Sequence, residues 1–203
     1  MTKLPTQQQC LQYFEEYKVP SNIKKHCLKV QEVSVFLAKK LQEAGIKINL
    51  ELVRAGAILH DLFKMAAIEK IGDNPHQIYS FSKEQLAMRD ELRKRFPNKY
   101  ETEIAYEIFK EEFPELAVLL LREGQHDIED KKIEEALINY VDYRTFKEEI
   151  VSLEERFAYF AEVYNPPNDY LQKALELSRE TERTVFERLD IKPEELGAAV
   201  ENE

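Results

Sequence analysis

Apolar side chains recur every three to four residues along almost the whole of this 203-residue chain. In the long segment that starts at Ser21, for example, the helical repeat is followed by Val30, Val33 and Leu37. No pair of segments shows the strict alternation that is typical of strands. The sequence also holds only 5 Gly, too few for the many turns of a sandwich or barrel. The sequence therefore predicts an all-α fold.

Helix starts can be predicted from side chains that cap the first turn. Thr6, Asn49, Ser82 and Asp130 each stand just before a helical segment, and each can accept a hydrogen bond from the free backbone N–H groups there. Ser82 is followed three residues later by a glutamine, which completes a capping box. We expect helices to begin at all four positions.

The length suits one domain with at most a small appendage, and no internal repeat or flexible linker divides the chain. We predict a helical N-terminal extension over residues 1–20 and a helical domain over 21–164 that carries the functional residues. Residues 165–203 are predicted to add a last helix that packs on the same domain. Its acidic tail, from Pro193 onward, is predicted to be frayed.

The charge balance and the apolar runs exclude several classes of protein. The chain has 29 Lys and Arg against 39 Asp and Glu, a net charge of −10, which argues against general nucleic-acid binding. No run approaches the ~18 apolar residues of a membrane span, and the N-terminus does not resemble a secretory signal. Two cysteines are too few for a disulfide scaffold. We therefore expect a cytoplasmic protein.

Two of the four histidines fall on helix faces that are predicted to be buried. His26 lies in the apolar stripe of the helix that starts at Ser21, and His60 lies in the stripe of the next helix. A buried imidazole needs a hydrogen-bond partner or a metal ion. One inward histidine is usually a satisfied core residue, but two on consecutive helices favour a role as metal ligands.

Two aspartates occupy similar positions. Asp61 follows His60 in an otherwise apolar run, and Asp142 follows Val141 in another apolar helix. A buried carboxylate is costly unless it is paired or bound to a metal. Two imidazoles and two carboxylates suit one divalent cation, and manganese, iron, cobalt, nickel, magnesium or zinc would fit such a set. The alternative is a buried hydrogen-bond network that holds no metal.

The order of these residues resembles a known family. His26, then His60-Asp61, then Asp142 is similar to the H…HD…D pattern of the HD-domain metal-dependent phosphohydrolases, and the small and apolar run before His60 agrees with it. The resemblance covers roughly residues 21–164. It implies a single-domain helical HD-type fold in which these four residues hold the metal. Branches with two metals have a further histidine near the position of Glu101, so the resemblance implies one metal here.

The resemblance also implies an activity, the hydrolysis of a phosphate ester of a small phosphorylated molecule or nucleotide. Asp61 and Lys64 would then be catalytic. The chain lacks the HDxxED pattern of alarmone hydrolases, and Lys64 stands where the related 5′-monophosphatases usually have a glutamate. The alternative is a catalytically silent HD-type module that binds a nucleotide or signals. The sequence leaves open whether the chain forms a homodimer.

Three basic residues are candidates for binding the substrate. Lys64 shares a helix face with His60 and Asp61, where it would clamp phosphate or, alternatively, complement a helix end. Arg54 lies two turns before Asp61 and would orient that carboxylate or touch substrate. Arg144, two residues after Asp142, is a weaker candidate.

A second His-Asp dipeptide, His126-Asp127, lies in a polar break between helices. It is predicted to be a solvated turn, with the alternative that His126 lines the site. His76 follows a proline in a polar loop, and we predict no catalytic role for it.

Overall fold

The structure is a computed structural model that describes residues 3–68, 81–125, 130–164 and 167–203. Helices dominate these residues, as predicted, and the all-α fold class is confirmed. The helices are α1 (Gln7–Glu16), α2 (Ser21–Glu43), α3 (Leu50–Leu59), α4 (Lys64–Ala67), α5 (Lys83–Arg95), α6 (Glu101–Phe109), α7 (Pro114–Glu123), α8 (Ile133–Arg144), α9 (Leu153–Tyr164), α10 (Asn168–Phe186) and α11 (Leu196–Glu201).

Side-chain caps start three helices where the sequence predicts them. Thr6 and Ser82 each form a capping box with the glutamine three residues later, and the Asn49 side chain accepts from the N–H of Leu52. The fourth prediction is wrong, because α8 begins at Ile133 with Lys132 as its N-cap. Oδ1 of Asp130 instead lies 3.0 Å from Nη2 of Arg122, so this side chain forms an ion pair and not a helix cap.

The central packing is formed by α2 and α3, with α8 and α7 against them. The apolar stripe predicted on α2 is buried, and Val30, Val33 and Leu37 are fully inaccessible. Gly56 lies where α3 meets its neighbours. A Cβ there would come within 2.7 Å of Leu119 and 2.8 Å of Ile138, so both side chains would have to shift. The absence of a side chain thus lets α3 approach α7 and α8 closely.

A small antiparallel hairpin follows α8, although the sequence suggested no strand pair. Its strands are β1 (Thr145–Phe146) and β2 (Glu149–Ile150), paired Thr145 to Ile150 and Phe146 to Glu149. Lys147, in the turn between them, has a φ of 60°. Strands of two residues are too short to leave an alternating pattern in the sequence.

The last residues are helical rather than frayed. A 3-10 turn over Pro193–Glu195 leads into α11, whose Leu196 and Val200 are buried against the rest of the core. Among the helices that the structure describes, none combines the length and the apolar character needed to cross a membrane.

Candidate metal centre

His60 follows the last residue of α3 and is almost fully buried. Its Nδ1 lies 2.8 Å from the carbonyl oxygen of Ala57. A carbonyl only accepts hydrogen bonds, so Nδ1 is the donor, and in the neutral ring Nε2 keeps its lone pair. Nε2 is buried and has no hydrogen-bond partner among the residues that the structure describes. This is the state in which an imidazole binds a metal ion.

His26, in the second turn of α2, faces the same point. Its Nε2 lies 2.8 Å from Oδ1 of Asp142 on α8, and its Nδ1 lies 3.3 Å from the carbonyl oxygen of Lys147 in the hairpin turn. The ring centroids of His26 and His60 are 5.3 Å apart. One donor atom from each of His26, His60 and Asp142 lies within 4.8 Å of the other two. The packing of α2, α3 and α8 therefore brings three predicted ligands together.

Asp61 lies at the edge of this cluster. Its Oδ2 is 3.7 Å from Nε2 of His60 and 4.0 Å from Nε2 of His26. The same oxygen accepts a hydrogen bond from Nζ of Lys64 at 2.7 Å. The fourth predicted ligand is thus close to both imidazoles while it also holds the lysine.

Lys64 is the first residue of α4, and its side chain is 36% exposed. Because α4 has only four residues, Lys64 lies in both its first and its last turn, and the alternative in which Lys64 complements a helix end stays a prediction. Burial lowers the pKa of Lys64, but the charges of Asp61, Glu101 and Asp142 outweigh burial and raise the pKa well above its usual value. Lys64 therefore stays positively charged.

The electrostatics of the cluster favour a cation at its centre. Burial by itself lowers the pKa of His60, but Asp61, Cys27 and Asp142 together outweigh burial and raise the pKa well above its usual value. Burial raises the pKa of Asp142, but the hydrogen bond with His26 and the nearby charge of His60 outweigh burial and hold the pKa well below its usual range. The cluster thus attracts positive charge, which a divalent ion would supply in place of protons.

Two further buried carboxyl groups, which were not among the predicted site residues, lie beside the cluster. Burial raises the pKa of Glu101 to about 8 and that of Glu123 to about 7. Oε2 of Glu101 has no hydrogen-bond partner among the described residues, whereas Oε1 of Glu123 accepts from Nδ2 of Asn139 at 2.8 Å. The sequence could have indicated that Glu123 is buried, because it follows Leu119 by four residues and Leu120 by three and so shares the buried face of α7.

The two candidate arginines make other contacts. Nη1 of Arg54 donates to Glu51 in the same helix and not to Asp61, so of its two predicted roles the contact with substrate stays a prediction. Arg144 is buried, and its guanidinium donates to Oε2 of Glu182 at 2.7 Å and to two backbone carbonyls, Val151 at 2.5 Å and Pro193 at 2.9 Å. These bonds give Arg144 a structural role, joining α8 to α10 and to the tail, in place of the predicted substrate contact.

The predictions for His76 and for His126-Asp127 lie outside the described residues.

The family comparison agrees with this geometry. The model of the HD domain family matches residues 23–166, more than half of the chain, and this span includes both histidines and both aspartates of the cluster. A search of curated proteins and a search of solved structures each find no match.

Proposed function

Because this chain belongs to the HD-domain family, whose members are metal-dependent phosphohydrolases, we propose that it hydrolyses a phosphate ester of a small molecule or nucleotide. The observation that carries the proposal is the buried Nε2 of His60, which lacks a hydrogen-bond partner among the described residues and lies 3.5 Å from Asp142. A core that served only to pack would be more stable with apolar side chains at these positions.

One divalent ion fits the residues present. His26, His60 and Asp142 would hold it, with Asp61 beside them, and imidazole and carboxylate donors accept any of the six metals named above. When bound, such an ion activates a water molecule near neutral pH and offsets negative charge on a phosphoryl group.

Lys64 supplies a second positive charge at the open side of the cluster. Its ammonium group is held 2.7 Å from Oδ2 of Asp61, and the side chain is 36% exposed, so an incoming phosphoryl oxygen can reach it. A fixed positive charge there stabilises the extra negative charge that develops in the transition state. Asp61 contributes by keeping the lysine in place.

Exposed tyrosines favour a nucleotide over a sugar phosphate. Tyr143, next to Asp142, has its ring 5.7 Å from that of Phe160, which is 5.9 Å from the ring of Tyr164. Tyr164 is 45% exposed, and Tyr100, the residue before Glu101, is 55% exposed. The pKa of Tyr100 is raised chiefly by the charge of Glu101, and that of Tyr164 chiefly by burial. The charges of Lys64 and Asp61 also act on both hydroxyl groups, so both tyrosines lie near this ion pair. Aromatic rings beside a phosphate site can stack on a planar base.

The proposal is tested by a screen of nucleoside monophosphates and simple phosphate monoesters with each of the six divalent metals. We expect turnover that disappears with a chelator and returns when the metal is added. Nucleotide binding that requires the metal but gives no turnover would instead support the silent module. No metal binding after reconstitution would overturn both functions.

The stacking part of the proposal has its own test. Tyr164→Leu should raise KM for a nucleoside monophosphate about tenfold, because a stacked base typically contributes about 1–3 kcal/mol. KM for glycerol phosphate, which has no ring to stack, should not change. An equal effect on both substrates would contradict a stacking role.

A further inference from the structure

A second recess, away from the candidate metal centre, lies between α8, α10 and the end of α2. The cavity has a volume of about 360 Å³, and none of the four predicted metal ligands lines it. Leu41, on its wall, is separated from His26 by about 22 Å of the α2 helix. Pockets that hold small molecules have volumes of about 300–1,000 Å³. The cavity is therefore large enough for a ligand of its own.

The walls of this cavity are mostly apolar. Several of the lining residues are hydrophobic, among them Leu41, Ile46, Ile133, Leu177 and Val185. The hydroxyl groups on the α10 side do not offer free donors, because each donates to a carbonyl of its own helix: Ser178 to Ala174 at 2.8 Å, Thr181 to Leu177 at 3.0 Å and Thr184 to Glu180 at 2.8 Å. An apolar occupant would leave none of these hydroxyl groups without a partner.

Two positively charged side chains also line the cavity. Lys131 and Arg188 both line the cavity, and within the described part of the chain the side chain of Arg188 forms no ion pair or hydrogen bond. The acidic lining residue is Glu180, which lies 4.0 Å from Arg183 outside the cavity, so its charge is partly balanced. In a chain with a net charge of −10, two cations at an apolar recess select for an anionic group.

We propose that this cavity binds an amphipathic monoanion, an apolar chain or ring that carries one carboxylate, and that its binding is transmitted to the candidate metal centre through Lys131. The apolar part would fill the space between α8 and α10, and the carboxylate would pair with Arg188 and Lys131. This site lies apart from the proposed hydrolysis, and its occupation does not require that activity.

A chain of hydrogen bonds provides the link. Nζ of Lys131 donates to Oδ1 of Asn139, and Nδ2 of Asn139 donates to Oε1 of Glu123. Glu123 is buried and interacts electrostatically with His60 and Asp142. A carboxylate that pairs with Lys131 offsets its positive charge and draws it from Asn139. The electrostatic potential at the cluster then becomes more negative, so a divalent cation should bind more tightly.

Binding is tested by titrating the full chain with dodecanoate, below its micelle concentration, in a calorimeter. We expect one dodecanoate per chain. Ala136→Phe places a ring in the cavity and should abolish binding, while Arg188→Gln, on the exposed rim, should weaken it about tenfold, as expected for the loss of one charge-assisted contact. Arg179→Gln is the control, because this exposed arginine of α10 pairs with Glu154 and does not line the cavity, and it should bind dodecanoate as the unmodified chain does.

Three results would overturn the site. They are the absence of dodecanoate binding, equal binding of neutral dodecanol, and unchanged binding by an Ala136→Phe chain whose circular dichroism shows that it is folded. A fourth result concerns a different occupant. If sedimentation shows a dimer that Ala136→Phe dissociates, the cavity is an interface between two copies of the chain, and the proposal is wrong.

The link to the metal centre is tested by titrating the chain with Mn²⁺ in the presence and absence of saturating dodecanoate. We expect Mn²⁺ to bind about fivefold more tightly with dodecanoate, and dodecanoate to bind tighter by the same factor with Mn²⁺. Lys131→Gln should remove the coupling. An unchanged Mn²⁺ affinity would overturn the link. Neither titration depends on turnover, so both results are separate from the test of hydrolysis.

Discussion

Nε2 of His26 lies 2.8 Å from Oδ1 of Asp142, although 116 positions separate the two residues in the chain. The contact joins α2 to α8 and forms only when these helices pack. A metal held by both residues would therefore bind the folded chain in preference to the unfolded chain, and so would stabilise the fold. The metal content of the protein and its resistance to unfolding should rise and fall together.

Asp142→Asn tests the metal centre directly. The amide keeps the shape of the side chain but removes its negative charge, so divalent metal binding should weaken by roughly ten- to a hundredfold or more. Metal titration followed by calorimetry measures the loss, and the metal should raise the unfolding temperature less than in the unmodified chain. Asp190→Asn, an exposed carboxylate after α10, is the control. Loss of metal in Asp127→Asn instead would assign the site to the second His-Asp pair.

Lys64→Ala separates a role in catalysis from a role in folding. If the ammonium group contacts the phosphoryl group, metal content should stay constant while kcat/KM falls about a hundredfold. Lys110→Ala is a matched control, because Lys110 is also 36% exposed and also pairs with a carboxylate three residues earlier, Glu107 at 2.6 Å. A loss of stability of about 0.3–1 kcal/mol in both variants, with no kinetic effect in either, would contradict the phosphate clamp.

Glu101 gives the metal-free protein a predictable dependence on pH. Burial raises its pKa to about 8, from an ordinary value of 4.5 that applies when the chain unfolds. Between these values the folded state keeps a proton that the unfolded state loses, so stability falls as pH rises, by at most about 1.4 kcal/mol per pH unit from this group. Glu101→Gln should flatten the curve of unfolding free energy measured in urea between about pH 5 and about pH 8.

The control for this measurement is Glu111→Gln, which changes an exposed carboxylate in the turn after α6. Its curve should run parallel to that of the unmodified chain. If Glu101→Gln runs parallel as well, the buried carboxyl group is ionised in the folded state and its assigned pKa is wrong.

Arg144→Ala should destabilise the fold without changing the chemistry. It removes the donor to Glu182 and to the carbonyls of Val151 and Pro193, and buried charge networks typically lose about 3 kcal/mol when one partner is removed. Urea unfolding should show this loss, and KM of the folded variant should be unchanged. Arg179→Ala, which breaks an exposed pair with Glu154, should cost less than about 1 kcal/mol. A large rise in KM would restore the predicted substrate contact.

The sequence predicted what depends on local pattern. The α2 stripe of Val30, Val33 and Leu37 is enough to indicate a helix and its buried face, and the Thr6 and Ser82 caps depend only on residues within one turn. The predicted ligands stood out for a related reason, since His26 and Asp142 are polar residues on apolar faces.

The remaining features depend on contacts between distant segments. Leu196 is buried because α11 packs against the core, which the acidic composition of the tail does not indicate. Arg144 looked available because its partners, Glu182 and Pro193, lie in a part of the chain that no local pattern relates to α8. Glu101 becomes part of the site only because α6 packs near α4, which carries Lys64.

The two imidazoles of the candidate centre are both oriented by main-chain carbonyls, of Ala57 for His60 and of Lys147 for His26. A substitution at position 57 or 147 exchanges a side chain but leaves the carbonyl acceptor in place. The orientation of each ring is therefore protected from point mutation at its partner, provided that α3 and the hairpin turn keep their backbone shape. Exchange of the exposed side chain at position 147 should be tolerated, whereas position 57 is fully buried and should accept only small side chains, and an inserted or deleted residue near either position should not be tolerated.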